Sequence, residues 1–133
     1  MTTPAKKILV VDDEPDARDY LTTVLADHGY PYDTAADGEE AMAKIEADPP
    51  ALIALDVSMP QKSGVGVYRA LKDDDRFKDI PVIFITGVTD EFEKFISSRR
   101  QVPPPEGYIS KPVDHAEFVT MIEKLLAPET ASS

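Results

Sequence analysis

The sequence predicts an α/β domain in which a parallel sheet is wound on both faces by helices, in five alternating strand–helix units. Three observations predict it. Ile8-Leu9-Val10-Val11, Leu52-Ile53-Ala54-Leu55 and Val82-Ile83-Phe84-Ile85 are apolar runs without polar alternation, the pattern of strands covered on both faces. Between them, apolar residues recur at helical spacing. Each run ends in a polar residue, Asp12, Asp56 or Thr86, at the carboxyl edge where open parallel sheets bind their ligands.

The elements follow in order. After the first strand, Ala17, Tyr20, Leu21, Val24 and Leu25 form a helical stripe, with Pro15 suited to the first turn and Gly29 to the stop. A weaker strand lies near 32–35. Ala41, Met42 and Ile45 mark a second helix, opened by Asp37 with Glu40 three residues on, a capping-box-like pair. The second buried strand precedes a third helix carrying Val65, Tyr68 and Leu71, and the next precedes a fourth carrying Phe92, Phe95 and Ile96. A last weak strand near 108–110 leads to a helix with Phe118, Val119, Ile122, Leu125 and Leu126, opened by Asp114 with Glu117 three residues later. Domain boundaries are expected at 6–127, with flexible termini at 1–5 and 128–133. The segment 97–106 is also expected to be flexible, although its Pro103-Pro104-Pro105 triplet reads as a stiff, extended connector.

Composition bounds the function. The 133 residues fit one domain, and 42% hydrophobic residues suffice for a core. A formal net charge of -11 repels a phosphate backbone, which argues against direct nucleic-acid binding and favours divalent cations or partners with a basic face. There is no cysteine, so neither disulfides nor Cys-based zinc sites arise. No apolar run approaches the roughly 20 residues of a membrane helix, and Met1-Thr2-Thr3-Pro4-Ala5-Lys6-Lys7 carries no signal-peptide pattern. A cytoplasmic location is expected.

The polar strand ends carry the candidate chemistry. If the first and third strands are neighbours, Asp12, Asp13 and Asp56 crowd one pocket. Like charges about 4 Å apart repel by about 4 kcal/mol at an effective dielectric of 20, unless a divalent cation shares their oxygens. Mg2+ suits an all-oxygen site with few protein ligands. Alone, Asp12 and Asp13 would equally well cap the helix at Pro15, and Thr86 and Lys111 would pass as surface residues. Together the five residues form a set: Asp56 as a nucleophile able to hold a phosphoryl group as an acyl phosphate, with Thr86 and Lys111 available to anionic oxygens.

These segments resemble the receiver domain of bacterial two-component response regulators over about residues 6–127. Ile8-Leu9-Val10-Val11-Asp12-Asp13-Glu14-Pro15 is similar to the family's opening, and Leu55-Asp56-Val57-Ser58-Met59-Pro60-Gln61-Lys62-Ser63-Gly64 to its phosphoacceptor segment. Thr86-Gly87 and Tyr108-Ile109-Ser110-Lys111-Pro112 are similar to its switch and lysine segments. The resemblance implies a flavodoxin-like (βα)5 fold with strand order 2-1-3-4-5. It implies that Asp56 accepts phosphate from a sensor histidine kinase or a histidine phosphotransfer protein. Mg2+ would be held by Asp12, Asp13, Asp56 and the Ser58 backbone carbonyl. Lys111, followed by a cis peptide to Pro112, would bind the phosphoryl group, while Thr86 and Tyr108 would switch the surface of the fourth helix, fifth strand and fifth helix. That surface would control a downstream protein, with the chain a monomer or weak homodimer.

Some residues depart from the family's pattern or stand outside it. The connection 97–106 is longer and less small than the family's usual one. Val88, two after Thr86, cannot orient a water, which implies a longer-lived phosphoryl state. His28 and His115 belong to no metal or phosphotransfer signature; His28, before Gly29, reads as a helix-end residue, and His115, after Asp114, is expected to be exposed. Two other readings stay open. One is an interaction module of this fold that does not use phosphate. The other is an aspartyl-nucleophile phosphatase, although such enzymes need an acid two residues after the nucleophile, where this chain has Ser58. No DNA-binding motif or catalytic domain follows residue 127, so the sequence reads as a single-domain regulator, not itself an enzyme.

Overall fold

The structure, a computed structural model, describes residues 7–56, 64–86, 107–110 and 113–126. Its elements run β1 (Ile8–Val11), α1 (Pro15–Asp27), β2 (Tyr32–Ala35), α2 (Gly38–Ala47), β3 (Leu52–Asp56), α3 (Gly64–Lys72), β4 (Val82–Thr86), β5 (Gly107–Ser110) and α4 (His115–Leu126). The strands form one five-stranded sheet in the order β2-β1-β3-β4-β5, every pairing parallel. This is the predicted doubly wound topology. The helix expected around Phe92, the connection 97–106 and both termini lie outside the described residues.

The apolar runs lack alternation because both faces are covered. Leu9 and Val11, Ile53 and Leu55, and Val82 and Phe84 pack on the face covered by α2 and α3. Their neighbours Ile8 and Val10, Leu52 and Ala54, and Ile83 and Ile85 pack on the opposite face, against α1 and α4. Period-two alternation along each strand is thus expressed as a choice between two cores. Burying a side chain of this size contributes roughly 1.5–3 kcal/mol, so a one-residue slip of register would exchange the two cores at once.

The helix ends follow local chemistry. Asp37 caps α2 by accepting from the Glu40 N–H at 2.8 Å, while the Glu40 carboxylate accepts from the Ala36 N–H at 2.8 Å, one residue before the position a capping box uses. Asp114 caps α4, accepting from the Glu117 N–H at 2.9 Å. Helix α1 ends in a Schellman motif: the Gly29 N–H donates to the Ala26 carbonyl at 3.1 Å and the Tyr30 N–H to the Leu25 carbonyl at 3.0 Å. Gly29 sits at φ 79°, a conformation that favours glycine.

Sheet order positions the site. The chain leaves β1 for β2 on one side and returns to β3 on the other, so β1 and β3 are adjacent without being consecutive. Their register pairs Val11 with Leu55, and the next step along both strands is Asp12 beside Asp56. That position is the topological switch point, where open α/β sheets leave a crevice.

Candidate functional site

Asp12 continues the ladder for one residue beyond β1, its N–H donating to the Ala35 carbonyl at 3.1 Å. Its side chain turns back on the loop: Oδ1 accepts from the Glu14 N–H at 3.0 Å, a local bond that fixes its rotamer. Helix α1 itself begins after Glu14, which makes no side-chain cap. The helix-capping role the sequence allowed for Asp12 and Asp13 is therefore not the one observed.

Asp12 and Asp56 are each 1% exposed, and Asp13 is exposed. One carboxylate oxygen from each lies within 4.8 Å of the others. Among the described residues this is the one group of three or more such side chains so placed. At 4.8 Å and an effective dielectric of 20, each pair of charges repels by about 3.5 kcal/mol. Three carboxylates, two of them buried, are a donor set of hard oxygens only. They fit a small divalent cation such as Mg2+, which takes a few carboxylates and fills its remaining positions with water.

Sequence reasoning passed over Arg18. Its Nη1 donates to the Asp12 backbone carbonyl at 2.7 Å, bringing a half-buried cation to the rim of the acidic pocket. A cation one turn into the helix after an acid pair was the available signal. Beside Asp12 lies a small cleft of about 140 Å3, lined by Glu14, Ala17, Tyr20, Leu21, Ile85 and Val113. The Tyr20 hydroxyl donates to the Val113 carbonyl at 3.0 Å across this cleft, joining α1 to the segment before α4.

Thr86 closes β4 in register with Ser110 of β5, on the same edge of the sheet as Asp56. Ser58, Lys111 and Pro112 lie outside the described residues. Tyr108 lies on β5 at the edge of the sheet and is 38% exposed. Its ring stands edge-on to Phe84 with centroids 6.2 Å apart, and Phe84 stands edge-on to the buried Tyr68 at 4.8 Å. Partial burial raises the Tyr108 phenol above its ordinary pKa, so the hydroxyl stays protonated and able to donate. His28 ends α1 and His115 is exposed, both as expected, but the fold brings their Nε2 atoms to 3.5 Å. The sequence alone did not foresee that pairing.

Similarity to known proteins agrees with this geometry. The family described as "Response regulator receiver domain" matches residues 8–123. The "Probable transcriptional regulator ycf27" of Cyanophora paradoxa is 39% identical over 121 residues, covering 91% of this chain and 48% of that protein. Among solved structures, the signal receiver domain of a signal transduction histidine kinase from Syntrophus aciditrophicus superposes with a TM-score of 0.82 at 29% identity, covering 92% of this chain and 91% of that one. The chemotaxis protein CheY4 of Vibrio cholerae gives a TM-score of 0.79 at 29% identity, covering 92% and 99%. The chain spans about half the length of the curated transcriptional regulators it matches. Among the described residues no helix is long and apolar enough to cross a membrane. An acidic crevice at the switch point, on a sheet of this order and with this family match, identifies the chain as a member of the response-regulator receiver family of two-component signalling.

Proposed function

We propose that Asp56 accepts a phosphoryl group from a phosphohistidine on a sensor kinase or phosphotransfer protein, and that the domain spanning 6–127 is thereby switched. Receiver domains work with sensor histidine kinases, and the observation that carries the reading here is the convergence of Asp12, Asp13 and Asp56 within 4.8 Å. A carboxylate oxygen of Asp56 attacks phosphorus, the P–N bond to imidazole breaks, and the leaving imidazole nitrogen takes up a proton from solvent. Mg2+ would be held by Asp12, Asp13, Asp56 and the Ser58 carbonyl, and when bound it supplies charge neutralisation for the phosphoryl oxygens.

The chain's own groups do the rest. The Glu14 N–H and the Arg18 guanidinium hold Asp12 and its backbone in place. Lys111, the residue after β5, pairs with a phosphoryl oxygen, and Pro112 fixes the connection that follows it. Thr86 moves toward the phosphoryl group and Tyr108 inward behind it. Their movement changes the surface made by the 92–96 segment, β5 and α4, which binds a downstream protein. The position of Tyr108 at the sheet edge, 38% exposed, supports this reading, since its ring reaches solvent. The domain is a signalling phosphoacceptor that acts in the cytoplasm, assisting only its own phosphorylation and dephosphorylation.

The test is intact mass after incubation with acetyl phosphate and Mg2+. Wild type gains one phosphoryl group and Asp56→Ala gains none. If neither gains mass, with a histidine kinase as donor also failing, the phosphoacceptor reading is wrong and the silent interaction module replaces it.

A further inference from the structure

His28 and His115 are 87 residues apart in sequence, yet their Nε2 atoms stand 3.5 Å apart with ring centroids at 5.6 Å and planes tilted by 49°. His28 is the C-cap of α1 and continues the helix face of Tyr20 and Val24 at i+4 spacing, while His115 is the first residue of α4. Both backbones are anchored, the first by the Schellman turn at Gly29 and the second by the Asp114 cap. Both rings are exposed, and among the described residues neither side chain bonds any group but the other. As a hydrogen bond, 3.5 Å is at the weak limit. It is close to the separation a metal imposes: with metal–nitrogen bonds of 2.0–2.1 Å and a tetrahedral angle, two imidazole nitrogens lie about 3.3–3.4 Å apart.

We propose that His28 and His115 form a two-imidazole site for a first-row transition dication of the Zn2+ class, tying α1 to α4. Among the described residues no third His, Asp or Glu offers an atom close enough to complete the set, so water fills the remaining positions. Ligand hardness sorts the two sites of the molecule. Imidazole nitrogen selects Zn2+, Ni2+ or Cu2+, whereas the all-carboxylate crevice at Asp56 selects Mg2+. The net charge of -11 draws cations to the surface in general. The tie has a structural consequence. Val113, held by the Tyr20 hydroxyl at 3.0 Å, lies between His115 and Lys111 in sequence. A metal bridge adds a second restraint across the same seam, on the connection that follows Lys111.

The experiment is calorimetric titration of the metal-free full chain with Zn2+, in saturating Mg2+ so that the acidic crevice is occupied. Thermal unfolding with and without Zn2+ is followed in parallel. The wild type is expected to bind one Zn2+ and to melt higher with it, since a ligand that binds only the folded state stabilises it. His28→Gln and His115→Gln, both at exposed positions, should melt like wild type without Zn2+ but bind it at least about tenfold more weakly, a loss of about 1.4 kcal/mol or more. The Cu2+-loaded wild type should also show hyperfine coupling to two nitrogens, an independent reading that needs no variant. The proposal is overturned if both variants bind Zn2+ as tightly as wild type, if saturating Mg2+ abolishes Zn2+ binding, or if the Cu2+ spectrum shows oxygen ligands only.

Discussion

Replacing Asp56 by asparagine keeps the shape of the side chain and removes one charge from the crevice. In the absence of Mg2+ this should stabilise the fold. Asp56 faces Asp12 and Asp13 with oxygens within 4.8 Å, and at an effective dielectric of 20 each pair costs about 3.5 kcal/mol as an upper figure. The exposed Asp13 is partly screened by water and salt, and the Asn amide must find partners among groups that served a carboxylate. A net gain of about 1–3 kcal/mol remains, worth roughly 3–5 °C in melting temperature per kcal/mol for a domain of this size. Mg2+ should narrow that gap. At 100 times its dissociation constant it adds about 2.7 kcal/mol to the wild type, and less to Asp56→Asn, which has lost a ligand. Urea unfolding of both proteins, with Mg2+ and with a chelator, reads all four stabilities. Equal stability of the two proteins in chelator would refute the repulsion argument, and equal stabilisation of both by Mg2+ would refute Asp56 as a ligand.

The packing and charge of other residues set further expectations. Gly107→Ala places a Cβ against the thioether end of Met121, a flexible side chain that can shift, and should cost no more than about 1 kcal/mol in chemical denaturation; a loss above about 3 kcal/mol would show that Met121 cannot give way. Gly29→Ala has open space but a φ of 79°, so a loss of about 1 kcal/mol is expected from backbone strain alone, and a melting temperature equal to wild type would contradict it. Burial works to raise the Asp33 pKa, but the Lys44 ammonium at 3.0 Å and the Thr34 N–H outweigh it and hold the carboxyl below its ordinary value. That contribution is present above the unfolded carboxylate pKa of about 3.9 and is lost as pH falls through the lower folded value. The pair is about one-third exposed, so Asp33→Asn should cost only about 0.5–1 kcal/mol at pH 7, with the gap to wild type closing below about pH 4 in a pH series of unfolding curves. Phosphoryl uptake from acetyl phosphate should fall strongly in Lys111→Ala while Mg2+ binding persists, and unchanged uptake would remove Lys111 from the site.

The buried strands were legible because their burial is two-sided. β1, β3 and β4 are read directly from apolar runs that feed two cores. β2 was faint for the opposite reason: as an edge strand it leaves Tyr32 44% exposed, and its residues Tyr32-Asp33-Thr34-Ala35 carry an ion pair to Lys44 where a central strand would carry packing. Caps were legible wherever a side chain and its target N–H are three residues apart, as at Asp37 and Asp114. The acid pair before α1 looked the same in sequence but acts differently, since Asp12 binds Glu14 outside the helix and faces Asp56. Distinguishing the two uses requires knowing that β3 lies beside β1. That adjacency followed from the family resemblance and not from any local pattern. The histidine pair depends on the same kind of knowledge. Only a strand order that puts α1 and α4 on one face brings residues 28 and 115 within reach.

Under the proposed function, the sheet is the route by which chemistry at Asp56 would reach Tyr108. Asp56 pairs with Ile85, and the preceding residue of β4, Phe84, pairs with Tyr108. Phe84 packs on the α2–α3 face, so the file Tyr68–Phe84–Tyr108 runs along that face, two residues before Thr86 on the same strand. Tyr68 and Phe84 are fully buried, while Tyr108 meets Phe84 edge-on and is 38% exposed. In the proposed switch, a shift of Thr86 toward the crevice would change the space at the end of β4, the strand that carries Phe84. Tyr108, the partly exposed outermost ring of the file, is the member that would move. Edge position, which made β5 hard to read in the sequence, is the same property that leaves this ring partly exposed.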